Sequence, residues 1–418
     1  MFELMEELYP LHRSITGEGL RETLRRIDKQ VPLTVHEVPS GTRVFDWTVP
    51  REWNLREAYV ANARGERVID VRRSNLHVVG YSTPVRARLR LGELREHLFT
   101  LPEHPAWIPF RTTYYRESWG FCLSHDELLR LEDGEYEVVI DATLEDGALT
   151  YGEYVVGGET PDEVLISCHV CHPSLCNDNL SGIALATMLA RMVSGVRPRY
   201  TYRFLFIPGT IGSITWLARN RDRVGRIAHG LVVVAVGDPG ALTYKKTRRG
   251  DTELDRVVQH VLERSGRPHE IVDFYPWGYD ERQYCSPAFD LSVGCLSRTP
   301  HGRFPEYHTS ADDLDFVRPD ALADSLATYL EVLTVLEDNA RYQATHPEGE
   351  PQLGRRGLYR TVGGAGGKLA ELPLLWVLNL SDGRHTLLDI AERSRLDFRT
   401  IRAAADTLLA HDLLVRLA

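Results

Sequence analysis

After Gly157 the chain settles into an order that few architectures accommodate. Val164–Ser167 reads as a short buried-type strand, Ser181–Met192 as a helix, and Tyr202–Ile207 as a second strand. Gly212–Arg219 then begins a helix, Leu231–Val236 reads as a third strand, and a helix runs from about Glu253 to Ser265. Such alternation predicts an α/β fold, a parallel or mixed sheet with helices on both faces. Arg318-Pro319-Asp320 opens a further long helix, with Pro at its first turn and Leu322, Leu326, Tyr329, Leu333 and Leu336 as its apolar stripe.

The flanking regions have other textures. Up to about Pro32 the chain reads as a helix with Leu20, Leu24 and Ile27 on one face. Residues 46–149 carry short β-prone runs, Leu76–Val79 and Tyr136–Ile140 among them, between Pro, Gly and charged turns. They read as a small β-rich domain inserted into a main domain of residues 1–45 and 150–342. Residues 343–367, with Pro347, Pro351 and a Gly-Gly-Ala-Gly-Gly run, read as a linker. Residues 368–418 have the texture of a winged helix: helices at Pro373–Leu380 and Phe398–Leu409, with Asp412–Val415 as a wing strand.

Composition narrows the class. With 418 residues, 43% hydrophobic and 26% charged, the chain can bury large cores, which excludes intrinsic disorder. The net charge of -10 excludes a global basic field for nucleic acid. No apolar run nears the roughly 20 residues of a membrane span, so no membrane partner is expected. The opening Met-Phe-Glu-Leu-Met-Glu-Glu lacks the basic-then-apolar order of a secretory signal. Six cysteines form no disulfide framework, and a cytoplasmic location is expected.

The densest polar chemistry runs from Ser167 to Gly182, directly after a strand, where ligands collect in open α/β sheets. One reading groups Cys168, Cys171, Cys176 and a histidine as a structural zinc or iron–sulfur site. Such a zinc site usually takes a second ligand pair, and Cys285 and Cys295 stand ten residues apart. The other takes His169 and Asp178 as ligands of a catalytic zinc, because imidazole and carboxylate suit that ion and catalytic sites use few protein ligands. Asp238 and His308, each at a later strand end, extend the set. His172 reads either as a ligand or oxyanion donor or as a hydrogen-bonded loop residue. Tyr244–Gly250 concentrates four basic side chains, as an anion-binding segment or a solvated loop.

Residues 163–316 resemble the zinc aminopeptidase family that also includes glutaminyl cyclases and glutamate carboxypeptidases. His169 matches that family's first metal-binding His, Asp178-Asn179-Leu180-Ser181-Gly182 its bridging-Asp motif, and Asp238 and His308 its later ligands. The whole chain is similar to bacterial aminopeptidase-like proteins with an inserted β domain and a C-terminal winged helix. That likeness rests on His172–Leu175, Phe45–Pro50, Asp280–Tyr284 and Pro305–Ser310. It implies a zinc-exopeptidase-like mixed sheet and metal ligands His169, Asp178, Asp238 and His308.

Two departures qualify the implied chemistry. The family's His-x-Asp is His169-Val170-Cys171 here, so the carboxylate that orients the imidazole is missing. The Glu pair expected before Gly212-Ser213 is replaced by Pro208-Gly209-Thr210-Ile211, which removes the general base and a second-metal ligand. One zinc is therefore expected on His169, Asp178 and Asp238, with a weak or differently built second site. Glu281 and Glu306 are the candidate bases, with His172 as a third catalytic candidate and Tyr284 as an oxyanion donor or a packed side chain. The expected function is zinc-dependent hydrolysis of an amide bond in a small peptide or aminoacyl conjugate. The alternative is a catalytically silent metal-binding or regulatory protein that uses the winged helix for partner or DNA contacts. From Lys368 onward seven basic residues balance seven acidic ones, so nucleic acid is not an expected partner. DNA contact would need Arg399 and Arg402. Self-association is left open.

Overall fold

A computed structural model describes residues 1–358 and 371–417. The chain divides into two units, Met1–Asp255 with Pro268–Ala327, and Arg256–Arg267 with Thr328–Ala418.

The first unit is built on an eight-stranded mixed sheet. Its order is Thr34–Pro39, Ala148–Val156, Thr201–Ile207, Glu163–His169, Ile227–Val233, Val293–Ser297, Leu242–Lys245, His269–Val272. The four middle strands run parallel, and antiparallel pairs close both sides. Every residue of Glu163–His169 is buried, as expected for a strand covered on both faces. Each of its fully buried Val, Leu and Ile side chains contributes about 1.5–3 kcal/mol by leaving water. Helices Ser181–Ser194 and Ile211–Arg219 follow their strands, so the parallel strands end together at one edge.

The expected alternation holds. Five strands of this sheet were not legible: Thr34–Pro39 and Ala148–Val156 border the inserted region, while Leu242–Lys245, His269–Val272 and Val293–Ser297 are short, and the first of these hides in the basic segment. In that segment Tyr244 and Lys245 are buried strand residues, and Arg248 pairs with Asp290 at 2.9 Å. The N-terminal helix is Glu18–Asp28, with Leu20, Leu24 and Ile27 buried as expected, and Phe2–Leu8 adds a helix before it.

Between Thr34–Pro39 and Ala148–Val156 the chain leaves the main sheet and forms a four-stranded antiparallel one, ordered Arg67–Asp70, Glu52–Ala61, Glu135–Glu145, Val85–Arg90. Leu76–Val79, expected as a strand, is instead a helical turn at Asn75–His77 whose N–H at Leu76 is capped by the Ser74 hydroxyl.

The second unit holds helices Leu372–Leu380, Leu387–Ser394 and Phe398–Leu409 and a three-stranded sheet. Here the expected boundary needs correcting. Arg341–Ala344 is the central strand of that sheet, pairing with Asp382–Thr386 and Leu414–Arg416, so the module begins before residue 368. The segment expected as linker thus starts inside a strand, and its residues 359–367 lie outside the described residues. Arg399 pairs with Glu331, and Arg402 with Asp338 and Asp406. Among the described residues no helix is long and apolar enough to cross a membrane.

Candidate metal centre

His169 is the last residue of the central strand, which fixes its imidazole at the sheet edge. The chain then turns through His172 and Asp178 into helix Ser181–Ser194. His169 Nε2 lies 2.8 Å from Asp178 Oδ1 and 2.9 Å from His172 Nδ1. His172 Nδ1 is 3.8 Å from the same Asp178 oxygen. Among the described residues, these three side chains are the one group of ligating atoms close enough to share an ion. His308 approaches from another loop, its Nε2 3.1 Å from Asp178 Oδ2.

The surroundings favour a cation. Burial lowers the pKa of both His169 and His172, keeping them neutral, the form that can offer a lone pair. Burial works against an ionised Asp178, but the ring N–H that His308 donates to its Oδ2 helps to hold the carboxyl well below its ordinary range. Asp178 Oδ1 is buried with no hydrogen-bond partner although two imidazoles face it. An orphaned anionic oxygen amid lone pairs is costly unless a positive ion fills the gap. The donor set fits zinc.

Loops far apart in sequence hold these groups in place. Arg13 is buried and donates from Nε and Nη2 to the His172 carbonyl, at 3.0 and 2.7 Å. Asp312 accepts the backbone N–H groups of Asn177 and Asp178 at 2.6 and 3.0 Å, fixing the turn that presents the carboxylate. Phe110, from the inserted region, sets its ring edge-on to both His172 and His308. Its N–H bonds the His308 carbonyl at 2.8 Å, which pins a residue held at φ 57°, a conformation costly outside glycine.

Not every expected residue arrives. His169, Asp178 and His308 come together, and His172 joins them as a candidate ligand. Asp238 does not: its two oxygens accept from Asn177 Nδ2, Gly240 N–H, Thr299 N–H and Thr299 Oγ1 at 2.5–3.1 Å. Its lone pairs are spent on bracing the loops behind the centre. Glu281 is locked in a buried ion pair with Lys245 at 2.6 Å and also accepts the Tyr279 N–H. Neither it nor Glu306 lines the cleft at the centre. Tyr284 packs inside, hydrogen-bonded to Ser167 at 2.9 Å. The cysteine grouping fails as well: Cys168, Cys171 and Cys176 are buried free thiols, and among the described residues none belongs to a group of ligating atoms close enough to share an ion.

A family model described as a domain of unknown function, DUF4910, matches residues 2–339. The chain belongs to the DUF4910 family. In this DUF4910 protein a winged helix-turn-helix model matches residues 340–416, which agrees with a module opening at Arg341. A Clostridium acetobutylicum protein is 52% identical over 415 residues, covering 99% of this chain and 95% of its own length. It is provisionally named a polysaccharide biosynthesis protein with an aminopeptidase-like domain. A crystal structure of a provisionally named peptidase from Clostridium acetobutylicum matches at 51% identity and TM-score 0.96, over 100% of this chain and 96% of that one. The zinc aminopeptidase of Bacillus subtilis shares the fold at 12% identity and TM-score 0.57, over 80% of this chain and 93% of that one. The aminopeptidase-like fold and the winged helix are thus both present.

The DUF4910 chain rebuilds the position where a general base was expected. A Cβ at Gly209 would overlap the Tyr279 phenol ring. That ring stacks on His169 with centroids 3.8 Å apart, and its hydroxyl lies 3.9 Å from Cys171 Sγ. The missing Glu pair is therefore a filled site and not a hole. Beside His169 Nδ1 stands the Asn179 amide at 3.4 Å. Tyr279, Arg13, Asp312 and Phe110 escaped sequence reading, because none lies in a motif and each acts across a long sequence separation.

Proposed function

We propose that this DUF4910 protein is a metal-dependent hydrolase acting on an amide bond of a small peptide or aminoacyl conjugate. His169 Nε2, His172 Nδ1 and Asp178 Oδ1 would hold a zinc ion. The observation that carries this is the convergence of those atoms on a buried, unbonded carboxylate oxygen at the strand ends of an aminopeptidase-like sheet. Bound zinc supplies Lewis acidity toward a carbonyl oxygen. With Glu281 tied to Lys245 and position 209 closed, proton transfer falls to His308. Its Nε2 is held by Asp178, its imidazole lines the cleft, and its Nδ1 has no partner among the described residues. An imidazole oriented by a carboxylate can accept and pass on a proton within hydrogen-bond reach. Phe110 and Tyr279 flank the histidines and limit water access.

The closure of position 209 by Tyr279 also favours a second reading, a silent metal-binding protein. Metal analysis of purified protein, joined to a panel of aminoacyl amides and small N-acyl amino acids, separates the two. Retained zinc with turnover, both lost in Asp178→Asn, supports the hydrolase. Zinc without turnover on the whole panel moves the assignment to the silent reading, and protein that retains no zinc ends both.

A further inference from the structure

The cleft at the centre has a volume of about 250 Å³, room for a small ligand, and its wall includes His172, His308, Tyr279, Thr112, Thr210 and Arg282. Arg282 is its one permanently charged group, and no carboxylate lines it. Among the described residues the Arg282 guanidinium makes no ion pair, and its Nε is buried without a hydrogen-bond partner. The carboxylates close by in sequence are committed elsewhere. Glu281 pairs with Lys245, and Asp280 is buried and accepts the Ser213 hydroxyl at 2.8 Å. A buried guanidinium N–H left unpaired costs free energy, so such a fork in a cleft is best explained by an anion that arrives with the ligand.

We infer that Arg282 receives a carboxylate of the ligand, so that the preferred substrate is an anionic amide, of the N-acyl amino acid class, and not a peptide recognised by its amino group. A site for a free ammonium needs an acceptor carboxylate in the cleft, and the wall offers none. The fork can take both oxygens of a carboxylate at once, while the hydroxyls of Thr112 and Thr210 stand in the same wall to accept or donate beside it. This rests on the cleft being the substrate site of the proposed hydrolase, yet it can be read from binding alone, without turnover.

The test is titration of the zinc-loaded full chain with N-acetyl-L-alanine, N-acetyl-L-alanine amide and inorganic phosphate. The carboxylate is expected to bind about tenfold or more tightly than its carboxamide, the margin of a charge-assisted bidentate pair. Arg282→Gln is expected to erase that ratio with zinc content unchanged, and Arg282→Lys to restore part of it. Equal affinity for acid and amide, a ratio that survives Arg282→Gln, or no binding of either probe overturns the inference. Tighter binding of phosphate than of the carboxylate overturns the assignment to a carboxylate. Zinc retention, measured beforehand, reports separately on the metal centre, and turnover reports separately on the hydrolase.

Discussion

Asp178 divides its work between its oxygens, Oδ1 toward His169 and His172, Oδ2 toward His308. Asp178→Asn is therefore expected to abolish zinc retention, measured by metal analysis. Asp238→Ala is expected to leave zinc in place and to lower unfolding free energy by about 1–3 kcal/mol, because four donors lose their acceptor. Loss of zinc in Asp238→Ala would return that residue to the ligand set. Position 209 gives a different kind of test. Gly209→Ala must displace the Tyr279 ring and is expected to cost about 1–3 kcal/mol in denaturant unfolding. Joined with Tyr279→Ala, that cost should largely vanish, and simple additivity of the two changes would refute the contact.

At the scale of elements, what was legible follows burial. Glu163–His169 and Thr201–Ile207 announce themselves because both faces are covered, nearly every residue is buried, and the apolar runs Val164–Ile166 and Phe204–Ile207 show through. Leu242–Lys245 and His269–Val272 do not, since they are four residues long and carry charged or polar side chains whose partners lie elsewhere in the chain. The same limit applies at the centre. His169 and Asp178 sit in a continuous motif and could be read. Asp238 occupies the right strand end, yet Asn177 and Thr299 capture its oxygens, and no local pattern carries that information. The Phe110 contact is an element-level device, with the inserted segment bridging Pro109 to Thr309. Phe110→Ala is expected to lower the rate on any hydrolysed amide by about tenfold or more with zinc retained, through misplacement of His308. An unchanged rate would show that the loop holds its shape unaided.

Across the first unit, Arg21 on the N-terminal helix reaches Glu52 of the inserted sheet with two parallel hydrogen bonds of 2.7 and 2.6 Å. The Arg21 guanidinium lowers the Glu52 carboxyl to about 2, and the unfolded chain restores an ordinary carboxylate value. A depressed folded pKa means that the stabilisation is full above the unfolded value, near pH 4.5, and disappears as pH falls toward 2. Glu52→Gln should flatten that acid limb by about 1 kcal/mol after solvent screening, seen as converging urea midpoints of variant and parent. Parallel midpoints throughout would remove the pair from the acid response. The winged helix was legible as a type because Leu387–Ser394 and Phe398–Leu409 are amphipathic. Its start was not, because Arg341–Ala344 finds its strand partners some 40 to 70 residues downstream.

The seam at Ile108–Phe110 and His308–Ser310 makes the insertion part of the histidine loop. Ile108 N–H bonds Ser310 Oγ at 2.9 Å, and Ser310 N–H bonds the Ile108 carbonyl at 2.8 Å. An insertion stitched to the histidine loop in this way is not a detachable accessory. Trimming it from this chain would redraw the ground under His308, so a change to either segment is a change to both.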